Sequence, residues 1–254
     1  MEWAFAGPGE FVAIATSCLM EGAAQRERLM YVAERPDPSE LAGLSSVASD
    51  EDLRIVPVAD VYGTSGVVDP AAQLDYYEAE VDAALADGYS GLRVVCDGTP
   101  LIAGSDALAA MLRWELLADR LMAVRPMTAL CAFDLQRVDR DSLEQLAAMH
   151  PLSSASGPVP PFRLSFSGDT LRLTGMVDAA SVRSLRHALG GLPDGTPAAV
   201  DLGTQAPVSA DVAAMLDELA GEGTPVTVHG AAAALEAFKA TALNASAKLD
   251  LLEY

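Results

Sequence analysis

Lysine is almost missing from this chain: of 254 residues only Lys239 and Lys248 carry one. Lys and Arg together number 16 against 36 Asp and Glu, a formal net charge of −20. Nucleic acids are held through phosphate contacts to Lys and Arg, so this balance argues against a nucleic-acid partner. An anionic membrane surface is disfavoured for the same reason. Cysteine is scarce as well. Cys18, Cys96 and Cys131 are far apart and form no CxxC pair, which removes zinc-finger and dithiol redox spacing. Each sits in an apolar run, where a thiol behaves as a small hydrophobe. No apolar run approaches the ~20 residues that span a bilayer. Met1 is followed by Glu2 without a basic leader, and a soluble, cytoplasmic protein is expected. No nucleophile elbow, HExxH or GxGxxG appears, so no enzyme is expected and no cofactor is implied.

What the chain does have is apolar mass. Hydrophobic residues make up 51% of it, enough for two ordinary domains. The stretch from 152 to 161, Leu-Ser-Ser-Ala-Ser-Gly-Pro-Val-Pro-Pro, is poor in core-forming residues and reads as a linker. It separates a first domain, 1–151, from a second, 162–254. The charge is uneven: residues 1–150 hold 25 acidic and 10 basic groups, and 151–254 hold 11 and 6. A partner meeting the first domain would need a basic or neutral surface.

Periodicity in the first domain predicts repeated strand–helix alternation. Helices are expected over 11–22, 38–44, 71–86, 105–123 and 140–149, and strands over 28–33, 53–58, 92–96 and 127–133. Ser105 or Asp106 is expected to cap the fourth helix. Such alternation favours a mostly parallel sheet with helices on both faces. In the second domain, runs at 162–166 and 170–174 read as strands. A helix follows, capped by Asp178 or Ser181, and then strand, helix, strand, helix and a short Leu-rich end. The fold class expected is α/β throughout.

Three stretches of the first domain carry a resemblance: Phe11 to Ala33, the strand region Gly88 to Asp97, and Ala129 to Asp134 with the later Met149-His150-Pro151. Together they resemble the MEDS domain, a sensory module of methanogens, methylotrophs and many actinobacteria. The resemblance implies a sheet related to RecA-type nucleotide-binding domains. The His usual near the start of that family is not evident in Met1-Glu2-Trp3-Ala4-Phe5. A phosphate cradle needs close-approach glycines and a Lys. The turn 19–27 has only Gly22, no lysine, and Glu21 and Glu27, so ATP hydrolysis is not expected.

Residues 162–254 resemble a STAS domain, the α/β module of anti-sigma factor antagonists. Phosphorylatable members place Asp-Ser-Ser/Thr-Gly at a helix start. Here Ser209 holds the first acidic position, Asp211 the acceptor position and Val212 the glycine. A fixed Asp supplies part of a phosphate's charge permanently. Either the switch is lost and the module docks constantly, or Ser209, Ser181 or Thr204 accepts phosphate. Ser209 also suits an N-cap for a helix over 210–222, without a capping box.

Candidate ligand-binding residues are Arg93, Asp97, Trp114, Glu115 and Cys131; Ser209, Ala210 and Asp211 are the candidate docking residues. Asp97, after a buried strand, either contacts a ligand or orders the Gly98-Thr99-Pro100 turn. Arg93 either pairs inside with Glu115 or Asp119, or lies at the surface. Trp114, Tyr76 and Tyr77 either line a pocket or fill the core. His150 reads as a helix-terminal cation, His187 as part of a solvated face and His229 as a strand end. None has metal-ligand spacing to another histidine, so no metal is expected. The expected function is small-molecule sensing coupled to control of an anti-sigma factor or anti-sigma kinase-like protein. A structural assembly module without ligand is the alternative, and a homo-oligomer is compatible with both.

Overall fold

A computed structural model of the chain describes residues 1–49, 51–168, 170–176, 182–189, 196–201, 210–221, 225–241 and 249–253. The first unit runs β1 (Glu2–Phe5), α1 (Pro8–Ala24), β2 (Arg28–Ala33), a 3-10 segment Pro38–Ser46, β3 (Leu53–Pro57), α2 (Val58–Tyr62) and α3 (Pro70–Ala86). It continues through β4 (Leu92–Asp97), α4 (Ser105–Val124), β5 (Met127–Asp134) and α5 (Arg140–Ala148). Its five strands lie in the order β1-β5-β4-β2-β3, and every pairing is parallel. One face packs Leu29, Tyr31, Val95, Leu130 and Ala132 against Phe11, Ala15 and Leu19 of α1 and Leu41 and Leu44 of the 3-10 segment. The other packs Met30, Val32, Val94, Cys96, Cys131 and Phe133 under α2 to α5. Burial on both faces is why the central strands are apolar at nearly every position.

Proline and aspartate start several of these helices. Asp69 accepts hydrogen bonds from Ala71 N and Ala72 N before α3, and Asp139 from Ser142 N before α5. At α4 the expected side-chain cap is absent. Ser105 is already helical, and the capping position is Gly104 at φ 101°, a left-handed conformation that glycine adopts without strain.

The second unit is a mixed sheet: β6 (Phe162–Ser167), β7 (Thr170–Gly175), α6 (Val182–Leu189), β8 (Ala198–Asp201), α7 (Ala210–Gly221), β9 (Val226–Gly230), α8 (Ala232–Thr241) and β10 (Leu249–Glu253). The strand order is β10-β9-β8-β7-β6, with only β6 and β7 antiparallel. Leu171, Leu173, Val200, Val226 and Val228 bury one face beneath α6, α7 and α8. Arg172, Thr174, Asp201, Thr227, His229 and Leu252 border an open groove of about 510 Å³ on the other. Among the described residues no helix is long and apolar enough to cross a membrane. The expected caps Asp178 and Ser181, and also Thr204 and Ser209, lie outside the described residues.

The segment between the units is anchored. Leu152 O accepts from Glu2 N at 3.0 Å, Ser154 N donates to Glu2 O at 3.0 Å, and Ser154 Oγ accepts from Ala4 N at 3.1 Å. A chain read as a Ser/Pro-rich linker therefore occupies the open edge of β1, pairing donors and acceptors that an edge strand would leave bare. Helix α4 touches α6 and β6, and the cores of the two units are continuous across it.

Candidate functional site

The covered side of the first sheet holds a row of reactive side chains. Parallel register sets Glu2 of β1 opposite Cys131 of β5, and Cys131 opposite Cys96 of β4. Registered residues on parallel strands share a face, so all three point toward α4 and α5. From above, α4 contributes Glu115 and the end of α5 contributes His150. Glu2 is fully buried, Glu115 2% exposed and His150 3% exposed. Glutamates are almost never this buried unless paired.

Their pairing is incomplete. His150 Nε2 stands 3.1 Å from Glu115 Oε2, an ion-pair distance without the alignment of a hydrogen bond. Cys131 Sγ donates to the same oxygen at 3.4 Å. His150 Nδ1 lies 2.8 Å from the carbonyl of Leu146, which fixes the ring and places that hydrogen on Nδ1. Nε2 then presents its lone pair to the carboxylate in the neutral ring. Among the described residues, Glu115 Oε1 and both carboxylate oxygens of Glu2 have no hydrogen-bond partner. Burial raises the Glu2 carboxyl above its ordinary value, against the pull of His150 and Arg163. The Cys131 thiol is pushed well up, first by burial and then by the Glu115 carboxylate.

Two residues tie this cluster to the second unit. Asp119, one turn after Glu115 on α4, accepts from Phe166 N of β6 at 2.5 Å. Arg163 of β6 donates to Ala147 O at 3.0 Å, to His150 O at 2.8 Å and to Ser153 Oγ at 2.6 Å. The guanidinium caps the carbonyl end of α5 where a cation is favoured.

The five residues expected to bind a ligand divide into separate places. Glu115 and Cys131 meet at the cluster. Trp114 stacks on Tyr77 with ring centroids 5.4 Å apart, and Tyr77 shares a 3.0 Å hydroxyl contact with Tyr62, all within the apolar core. Arg93 lies on the opposite face. It pairs with Glu27, Nε to Oε2 at 2.6 Å, and not with Glu115 or Asp119, because β4 alternates and position 93 faces α1. Asp97 orders the turn: its Oδ1 accepts from Thr99 N at 3.0 Å. Of the docking residues, Ala210 and Asp211 open α7 and are exposed, and Ser209 lies outside the described residues.

The turn 19–27 also falls elsewhere than a phosphate cradle requires. It closes the carboxyl end of α1, whereas phosphates sit where a strand leads into a helix amino terminus. That place is the turn from β1 to α1, Ala6 to Gly9, and there Ala6 N already donates to Glu10 Oε2 at 2.8 Å.

Sequence spacing missed Glu2 and His150 as members of the cluster. A glutamate within a four-residue strand near the chain start gives no periodic signal. His150 reads in sequence as a helix-terminal cation without a histidine partner, and its neighbours are instead a carboxylate and a thiol brought in by α4 and β5.

These features define an open, parallel α/β domain with buried ionisable groups beneath one helix and no lysine-bearing phosphate loop. The family described as MEthanogen/methylotroph, DcmR Sensory domain matches residues 2–151, and the chain belongs to this MEDS family. No curated protein matches the chain.

Proposed function

We propose that this protein is a non-enzymatic signalling regulator in which the MEDS sensory domain reads a small organic molecule and its second unit passes the result to a protein partner. One observation carries the reading. Glu115, with an unpartnered buried oxygen, and Asp119, bonded to β6, lie one turn apart on the same helix. A molecule that altered the cluster would move α4, and α4 is shared by both cores. Ligand binding would then shift the balance between two arrangements of the second unit. The STAS-like reading of that unit makes an anti-sigma factor or an anti-sigma kinase-like protein the partner, met near Ser209, Ala210 and Asp211. Exposure of Ala210 and Asp211 supports this placement. Glu10 at the β1–α1 turn supports a role without nucleotide hydrolysis, since a phosphate there would meet a carboxylate.

The test is thermal unfolding of the full chain against a panel of small organic compounds and nucleotides, with amide exchange in β6 and β7 followed for any compound that stabilises it. Stabilisation by an organic compound with altered exchange in β6 is the expected result. A flat panel counts against sensing and favours a constant assembly module, for which the continuous core between the units is the supporting feature.

A further inference from the structure

Glu115, Cys131 and His150 come from α4, β5 and the end of α5, and one donor atom of each lies within 4.8 Å of the others. We propose that these three residues bind a divalent transition-metal ion of the zinc class, with the Glu2 carboxylate facing the same space from β1. The inference goes beyond the sensory reading and holds whether or not an organic ligand exists.

The donor atoms lie near the spacing it needs, with the nitrogen–oxygen pair slightly short of it. Two ligands of a tetrahedral zinc ion stand about 3.3–3.8 Å apart at ordinary Zn–N and Zn–S lengths. His150 Nε2 and Glu115 Oε2 are 3.1 Å apart, and Cys131 Sγ and Glu115 Oε2 are 3.4 Å apart. The imidazole is prepared in the manner of metal-bound histidines. Its Nδ1 hydrogen goes to a backbone carbonyl, that of Leu146, leaving Nε2 free to coordinate.

The alternative is a bare ion pair between His150 and Glu115. It leaves Glu115 Oε1 and both Glu2 oxygens without donors where water has almost no access. Buried carboxylates without partners are costly. A dication there would take Glu115 as a ligand and offset the charge of the neighbouring Glu2 carboxylate. Thiolate and imidazole select against Mg²⁺ and Ca²⁺, which take oxygen sets. On binding, the sulfur–metal bond replaces the Cys131 S–H bond, and the proton leaves to buffer.

The full chain, stripped with chelator, is titrated with Co²⁺ and then with Zn²⁺. One equivalent of Co²⁺ should produce a thiolate-to-cobalt charge-transfer absorption that Zn²⁺ displaces. Cys131→Ser should abolish that absorption, and Cys18→Ser and Cys96→Ser should keep it. Glu115→Gln and His150→Gln should weaken Zn²⁺ binding by more than about 100-fold, beyond the loss of an outer partner. Circular dichroism of each stripped variant checks folding. If Cys131→Ser does not fold, alkylation of the native chain in urea just below its unfolding transition, where the buried thiol is transiently reached, decides: Zn²⁺ should protect Cys131 and leave Cys18 reactive. Absence of the Co²⁺ absorption, its survival in folded Cys131→Ser, or unprotected Cys131 overturns the site. Metal binding with a flat panel of organic compounds upholds the site and counts against the sensory reading.

Discussion

Glu115 and Asp119 lie one turn apart on α4 and serve different sheets: Glu115 meets Cys131 and His150 of the first unit, and Asp119 accepts from Phe166 N of the second. Spacing of four residues puts both on one helix face. Replacing Asp119 with Ala removes the acceptor of a partly buried amide. A loss of about 1–3 kcal/mol is expected, which for a chain of this size lowers Tm by roughly 2–4 °C per kcal/mol. Asp119→Asn keeps an oxygen acceptor and should lose less. Thermal melts of the two variants decide, and equal losses would show that the bond to Phe166 contributes nothing.

Arg163 holds three acceptors, Ala147 O, His150 O and Ser153 Oγ. Arg163→Met keeps much of the apolar stem and removes every donor. The end of α5 and the segment along β1 should loosen together. The expected readout is faster amide exchange at Glu2 and Ser154, whose bonds are Glu2 N to Leu152 O and Ser154 N to Glu2 O. Unchanged exchange at both would mean that β1 holds this segment without the arginine.

Apolar periodicity made β2, β4, β5 and the long helices of the first unit readable, because each buries a repeating pattern. Strand β1 was not readable. Glu2-Trp3-Ala4-Phe5 is four residues long, and its first member points a carboxylate into the core. At α4, Ser105 and Asp106 suit a capping position by residue type, while Gly104 at φ 101° fills it by backbone geometry alone. Glu115 and Cys131 were singled out separately. Their meeting with Glu2 and His150 depends on strand order and register, which no local pattern encodes. Of the two readings open for Arg93, interior pairing with an acid holds, but alternation along β4 turns it toward Glu27 and away from Glu115 and Asp119.

Gly22 of α1 tests how closely that helix sits on the sheet. A Cβ there would come within 2.8 Å of Arg93 Cβ and Cγ and of Leu29 Cδ2. Gly22→Ala therefore sets a gain in helix propensity of up to about 1 kcal/mol against overpacking that costs about 1–3 kcal/mol. Net destabilisation is expected, because Arg93 is held in place by Glu27. Gly9→Ala is the control: it lies in the same helix with nothing within 4 Å of the added carbon. Urea unfolding should show a lower midpoint for Gly22→Ala than for Gly9→Ala, and the reverse order would refute the close approach.

Asp97 sets a pH dependence with a definite sign. Burial raises its carboxyl above the ordinary 3.8, more than the hydrogen bonds from Thr99 and the charge of Arg137 lower it. The folded chain thus holds this proton at pH values where the unfolded chain has released it. The contribution to stability is full below about pH 3.8, falls as pH rises through the raised value, and is then constant. Asp97→Asn has no proton to lose and keeps an oxygen for Thr99 N. Its Tm relative to the native chain should rise from pH 4 upward and then level off. Melts of both proteins across pH 4 to 8 measure this, and a difference that stays flat or falls with pH would show that burial does not govern the group.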